Sequence, residues 1–332
     1  MSASAFLNKM RKGKWYMKAI SKRKKMDYIS GYTMILPLVL GLGVFYFYPI
    51  FKVFYDSFHE VGAFNKTKWV GLENYIQMFH DSTMWHALFN TMRYVLVIVP
   101  SVIILSLLLA VFLNMKIKGK SFFRVVYFIP AITMSAAVAM IWRWMFNSDY
   151  GIINYILNIF GMGSVQFLSN PKLAWIAICI VSVWSSVGYN MIILLAGIQG
   201  ISRSYYEAAS MDGASGIRQF FSITLPLITP TLFFVLVTTL ISTFQTFDTI
   251  YMMIQKTGLA MEASQSMVVY FYKNAFEFSK KGYASALAVF LFLIIMLITA
   301  LQMKLQKKWV VNLGINMINI LIKIVKIIRI KK

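Results

Sequence analysis

"EAASMDGASGIRQFFSITLPLITP", residues 207–230, is a polar, glycine-punctuated segment that separates two long apolar runs, 173–197 and 229–251. Its charges are Glu207, Asp212 and Arg218, and its glycines are Gly213 and Gly216. Ser204 and Glu207 stand three residues apart, the spacing at which a capping hydroxyl and a following carboxylate each satisfy an unpaired backbone donor. A short helix is therefore expected with Ser204 as its N-cap. Ala208 and Ala209 add helix propensity without bulk, so another protein can approach closely there. Asp212-Gly213 should break the helix, because glycine enters the left-handed region without steric cost. Ser215 can cap a second short helix through Arg218, Phe220 and Ile223, which Leu225-Pro226 should end, turning the chain into the next apolar run. The segment reads as helix, turn, helix: either an inert amphipathic connector or a surface made for another protein.

Its flanks decide the solvent. Of 332 residues, 59% are hydrophobic and 13% charged, about half the charged share of a soluble domain. The apolar residues come in blocks of about 20, long enough as helix to cross a hydrocarbon core of roughly 30 Å. Six blocks are expected to span: Gly31–Phe51, Thr91–Leu113, Phe122–Trp142, Leu173–Gly197, Thr229–Tyr251 and Tyr283–Met303. Each must be helical, because lipid offers no partner for backbone polar groups. The fold class that follows is an all-α membrane protein of six transmembrane helices. A basic segment 1–28 precedes the bundle 29–303, and a basic tail 304–332 follows it.

The net charge of +22 does not point to nucleic acid, because the cations flank the spans. If the N-terminus is cytoplasmic, the cytoplasmic segments hold 23 of the 33 Lys/Arg and the outer segments ten, an imbalance that places both termini in the cytoplasm. The first apolar run has no small-residue cleavage site after it and is expected to stay as an anchor. The polar segment 202–226 then lies on the cytoplasmic side. Two outer stretches, "GLENYIQMF" and "YGIINYILNIF", have helical spacing. The single cysteine, Cys179, falls inside a span and reads as a core residue.

Enzyme signatures are weak. "NMKIKGKS", residues 114–121, has Asn114 where a phosphate loop needs glycine, and it joins two spans with no preceding strand. His59, His80 and His86 lack metal-ligand spacing and read as satisfied surface histidines. No Ser/His/Asp set or intramembrane carboxylate pair is apparent. Polar groups within the spans are costly in lipid and mark a cavity or a neighbouring helix. They gather in the fourth run (Ser182, Trp184, Ser185, Ser186, Tyr189, Asn190) and the fifth (Gln245, Thr246, Asp248, Thr249). A sugar needs that mixture of hydrogen-bonding groups and flat rings, although helix–helix polar contacts would use the same residues.

The pattern Glu207-Ala208-Ala209, Gly213, Ile223, Leu225, Pro226 resembles the EAA loop of binding-protein-dependent ABC importer permeases. Further stretches are similar to the sugar-importer, MalF-like branch: "WVGLENYIQMF", "FFRVVYFIPAI", "IWRWMFNSDYGIIN", "VWSSVGYNMIILLAGIQGI" and "KGYASALAVFLF", in family order between about residues 26 and 308. The resemblance implies a six-helix permease subunit of the bacterial inner membrane that pairs with a second, similar permease. It implies two separate ATPase subunits that carry ATP and magnesium, so that this chain binds no cofactor, and an extracytoplasmic binding protein that delivers a carbohydrate. Glu207 would face a basic group of the ATPase, Gly213 would form the turn and Ala208 and Ala209 the packing face, with Asp212, Ile223, Leu225 and Pro226 among the same ATPase-coupling residues. Trp184, Tyr189, Asn190, Gln245 and Asp248 are the residues carried over to the substrate. An oligosaccharide is the expected cargo; a sugar phosphate such as glycerol phosphate is the alternative, disfavoured because the fourth and fifth spans have no internal Arg or Lys. A channel would have no use for the EAA loop, and an intramembrane enzyme would need a reactive set that is not found. The stretch from Trp309 onward has Asn and Lys on one helical face and Ile and Val on the other, as an interfacial helix attracted to anionic lipid would.

Overall fold

The structure is a computed structural model that describes residues 24–62, 66–115, 118–255 and 257–309, with side chains of the last stretch described through residue 306. Most of the basic N-terminal segment and the amphipathic tail beyond Trp309 lie outside the described residues. The chain divides into two units, Met1–Asp56 and Ser57–Lys332. In the first, one helix is described, α1 (Lys24–Asp56), and no residue of its apolar window is buried within the chain. A π turn at Gly43–Phe47 interrupts it.

The second unit opens with a hairpin of β1 (His59–Val61) and β2 (Thr67–Trp69), antiparallel with His59 opposite Trp69. Helices α2 (Glu73–His80), α3 (Ser82–Asn114), α4 (Lys120–Ile132), α5 (Ser135–Met145), α6 (Ile152–Ile159) and α7 (Pro171–Gln199) follow. Next come α8 (Arg203–Met211) and α9 (Gly216–Leu227), then α10 (Thr229–Phe244). The chain closes with α11 (Asp248–Met253), α12 (Leu259–Ser264), α13 (Met267–Tyr272) and α14 (Lys281–Trp309).

Four described helices, α1, α3, α7 and α14, are long and apolar enough to cross a membrane, and two bent pairs bring the number to six if each pair is one span. The first bent pair corrects the expectation of a continuous third span, and the end of α10 at Phe244 that of a continuous fifth. The run expected as Phe122–Trp142 breaks at Thr133-Met134, where α4 and α5 turn by 100°. Pro130 lies in the last turn of α4, and its missing N–H weakens the ladder just before the break. The run expected as Thr229–Tyr251 stops at Phe244. Residues 245–247 are unwound, and several of their backbone groups find partners: Gln245 N donates to Ser242 O, Thr246 N to Thr243 O, and Ser266 Oγ reaches Thr246 O at 2.7 Å. Unwound backbone at membrane depth requires such internal partners.

The hairpin and α2 were only partly legible: the α2 helix matches its spacing, whereas the strands are a finding. His59, expected at the surface, is buried at 5% exposure with its ring edge-on to Trp69 at 4.9 Å, and His86 lies within α3. Beside it, Asn74 donates to the carbonyls of Ser57 and His59, pinning the hairpin to α2.

The core is laid along α3 and α7. At one end of this pair Tyr94, Ile98, Val102, Ile178, Ile250 and Met261 pack together, with the buried Cys179 among them. At the other end Ala110, Leu113, Met191, Leu194, Ile198, Ile228 and Val235 do so. Between the ends α7 is pinched: Ser106 Oγ of α3 donates to Val187 O at 3.0 Å, and on the α4 side the backbone of Tyr127 runs against Gly188 with no room for a Cβ. A third cluster of Met84, Phe244, Met267, Tyr283 and Leu287 holds α3, α10, α13 and α14 together.

Candidate functional site

The polar segment after α7 folds as expected in kind and differs in register. Helix α8 begins two residues earlier: the capping side chain is Ser202, whose Oγ accepts from Ser204 N at 3.4 Å and lies 2.8 Å from Ser204 Oγ. Ser204 is therefore inside the first turn, and the expected pairing of Ser204 with Glu207 as a capping box is corrected. Two serines two residues apart offer two cap registers, and the exit of the chain from α7 selects between them. The turn is as read: Gly213 has φ +74, with its N–H on Ser210 O and the next N–H, of Ala214, on Ala209 O. Ser215 caps α9 through Arg218 N at 3.4 Å.

Helix α9 does not end at Leu225-Pro226. A π turn at Phe220–Thr224 absorbs the residues before Pro226, and the 67° bend into α10 comes at Ile228. The wider turn spares the carbonyls that the Pro226 ring would otherwise strike.

Three side-chain bonds lock the two short helices to each other. Gln219 Nε2 donates to Ser210 Oγ and to Ala214 O, both at 3.0 Å, and the hydroxyls of Tyr206 and Thr224 meet at 2.9 Å. Ile223 and Thr224 are buried, so they anchor the unit, with Leu225 and Pro226 half-buried beside them. Outward face Glu207, Ala208 and Asp212, with Met211 89% and Ile217 75% exposed. A rigid unit that shows a carboxylate, a small residue and bare apolar side chains at the end of a bundle is equipped to seat on another protein.

The residues expected at the substrate separate into two groups. Trp184 and Tyr189 on α7, Gln245 at the end of α10 and Asp248 at the start of α11 are exposed. Trp184 meets Trp142 edge-to-face at 5.4 Å, and Asp248 Oδ2 accepts from Ser135 Oγ at 2.5 Å. Ser135 and Trp142 are both on α5, seven residues apart and thus on one helical face, so α5 carries a partner for each of Trp184 and Asp248. Asn190 is placed elsewhere. It is buried at 5%, donating to Ser186 O at 3.0 Å and accepting from Thr239 Oγ1, a contact between α7 and α10. Ser135 escaped sequence reading, because its place beside Asp248 depends on two helix breaks that hydropathy does not register.

At the opposite end of α3, Asp81 caps the helix and accepts from Thr83 N at 2.8 Å and from the hydroxyls of Tyr270 and Tyr283. Burial works to raise its pKa, but these donors together with the amide of Met84 outweigh it and hold the carboxyl below the usual range.

With this geometry in place, comparison decides the family. Residues 82–311 match the family described as "Binding-protein-dependent transport system inner membrane component". The chain belongs to that family. This permease is 37% identical over 293 residues to the probable ABC transporter permease protein YesP of Bacillus subtilis, covering 87% of this chain and 94% of that one. It is 34% identical over 288 residues to the trehalose/maltose transport system permease protein MalF of Thermococcus litoralis, covering 86% and 97%. Its fold matches a crystal structure of a bacterial ABC transporter involved in import of the acidic polysaccharide alginate, with TM-score 0.78 at 22% identity, over 87% of this chain and 99% of that one. The chain is a multi-pass membrane transport subunit rather than an enzyme.

Proposed function

We propose that this permease imports a carbohydrate, an oligosaccharide rather than a sugar phosphate, handed to it by an extracytoplasmic binding protein, and that separate ATPase subunits drive it through residues 202–227. The observation that carries the reading is the locked helix–turn–helix at one end of α7, with Glu207, Ala208 and Met211 uncovered. In this reading Glu207 meets a basic side chain of the ATPase while Ala208 and Ala209 let the partner close in. Motion of the ATPases then passes as a rigid push into α7 and α10, between which the unit is strung, and alternates access to the sugar. A second permease completes the path, six spans cross the inner membrane, and both termini are cytoplasmic. Trp184 with Trp142, Tyr189, Gln245, and Asp248 with Ser135 offer the rings and hydrogen-bonding groups that a neutral sugar uses. A carboxylate at Asp248 opposes an anionic cargo. The substitution Glu207→Lys tests the coupling: the variant should insert normally but lose binding-protein-dependent uptake at least tenfold and retain less ATPase on copurification. Wild-type uptake by Glu207→Lys would remove the assigned role.

A further inference from the structure

A small cavity of about 110 Å³ opens at the far end of α5 and α11. Its lining includes Arg143, Asn147, Ser148, Gln166, Ser169 and Gln255, over an apolar base that includes Phe146 and Phe167, whose rings lie 5.2 Å apart. Arg143 is the one charged group of this lining, it is exposed, and no ion pair or hydrogen bond joins it to another described residue. The nearest acid in sequence, Asp149, accepts from Ser148 Oγ at 3.1 Å.

The walls are built rigidly. Asn154, 2% exposed, donates to Asn147 O at 2.9 Å and Val165 O at 3.0 Å and accepts from Val165 N at 2.8 Å, tying the 146–148 wall to the 166–169 wall. Gly151 packs so tightly that a Cβ there would lie 2.4 Å from Asn147 O. Asn147 Oδ1 in turn accepts from the amides of Asp149 and Tyr150. A cavity held open in this way, with one uncompensated guanidinium among neutral amides and hydroxyls, suits a carboxylate, which arginine can grip through two parallel bonds.

Position selects the source of that carboxylate. Ser169 stands just before Asn170, the N-cap of α7, and the helix–turn–helix begins at Arg203 just after its end, so the two lie at opposite ends of a 29-residue helix, about 43 Å long at 1.5 Å per residue. The cavity therefore faces away from the surface assigned to the ATPases. Its volume takes the head group of one side chain, not a chain of sugars. We infer that it is a docking pocket for an aspartate or glutamate side chain of the extracytoplasmic binding protein, an inference that rests on the importer reading above. The same two helices that wall the pocket carry the Ser135–Asp248 bond at their other ends, so docking bears directly on the elements that flank the sugar surface.

The test uses the full transporter in nanodiscs, titrated with the purified binding protein while ATP hydrolysis is followed. Arg143→Gln should raise the half-maximal binding-protein concentration about tenfold or more, Arg143→Glu further, and Arg143→Lys should recover part of the loss. The half-maximal concentration should also rise with salt in the wild type and lose much of that dependence in Arg143→Gln. Unchanged half-maximal concentration in Arg143→Gln and Arg143→Glu overturns the inference. So does loss of uptake with stimulation intact, which would assign Arg143 to the cargo. A wild-type complex that fails to respond to binding protein overturns the importer reading itself, a result distinct from both.

Discussion

Replacing Gly188 with alanine should damage this permease more than the same change at Gly197, the other glycine of α7, where the nearest atoms belong to the side chain of Thr231. The new Cβ would sit 1.8 Å from the carbonyl oxygen of Tyr127, 2.7 Å from its carbon and 3.2 Å from Phe128 Cα. All three atoms are backbone, so no side chain can swing aside, and α4 must retreat by about 1.2 Å to reach even the shortest tolerable contact in a close-packed interior. Helix α7 has no freedom to yield on its other side, where Ser106 Oγ holds Val187 O at 3.0 Å. Overpacking costs about 1–3 kcal/mol, and a clash confined to backbone belongs at the upper end. A loss of about 3 kcal/mol lowers the folded-to-unfolded ratio by a factor on the order of 100. Thermal melting of the detergent-solubilised protein, followed by loss of the monodisperse peak, measures it. Gly216→Ala is the control, since a Cβ there meets nothing within 4 Å. If Gly188→Ala melts within a degree of the wild type, the α4–α7 crossing is not the fixed contact described.

Gly213→Ala meets no clash, but φ +74 places a Cβ in the left-handed region at a cost of about 1–2 kcal/mol; binding-protein-stimulated ATPase activity should fall while membrane insertion stays normal, as fractionation would report. Asp81→Asn removes the charged acceptor of two tyrosine hydroxyls and should destabilise the protein by about 2 kcal/mol in a neutral-pH melt. Because the Asp81 carboxyl titrates below its ordinary value in the fold, its contribution is complete above the unfolded pKa of about 3.9 and is lost as pH falls through the lower folded value. Melting midpoints of wild type and Asp81→Asn should therefore converge below about pH 4, and parallel curves down to pH 3 would refute the assignment.

Much of the helix–turn–helix segment was legible because its chemistry is local. Gly213 sits in the left-handed region and Ser215 caps α9, since a turn and a cap depend on residues a few positions apart. The cap of α8 was misplaced by two residues for the complementary reason: Ser202 and Ser204 carry the same hydroxyl, and the choice between them is made by the path out of α7. Asp248 stood out as a carboxylate in an apolar run, yet nothing near it in sequence announces Ser135, 113 residues away. Asn190 looked equivalent to Tyr189 along the chain, but adjacent positions on a helix point about 100° apart, and that rotation buries one while exposing the other. The pocket at Arg143 had no sequence signature, being assembled from three separate stretches, 143–148, 166–169 and 253–255.

The sequence by itself determined that the chain belongs in a bilayer, where the apolar blocks lie and where a polar helix–turn–helix interrupts them. Those properties follow from transfer free energies and short-range hydrogen bonding, which act residue by residue. Only the tertiary structure decided that two of the apolar runs break, at Thr133-Met134 and at residues 245–247, and which polar side chains meet across those breaks. Hydropathy fixes whether a segment enters lipid; the direction of its backbone is set by the neighbours that satisfy the groups a break exposes.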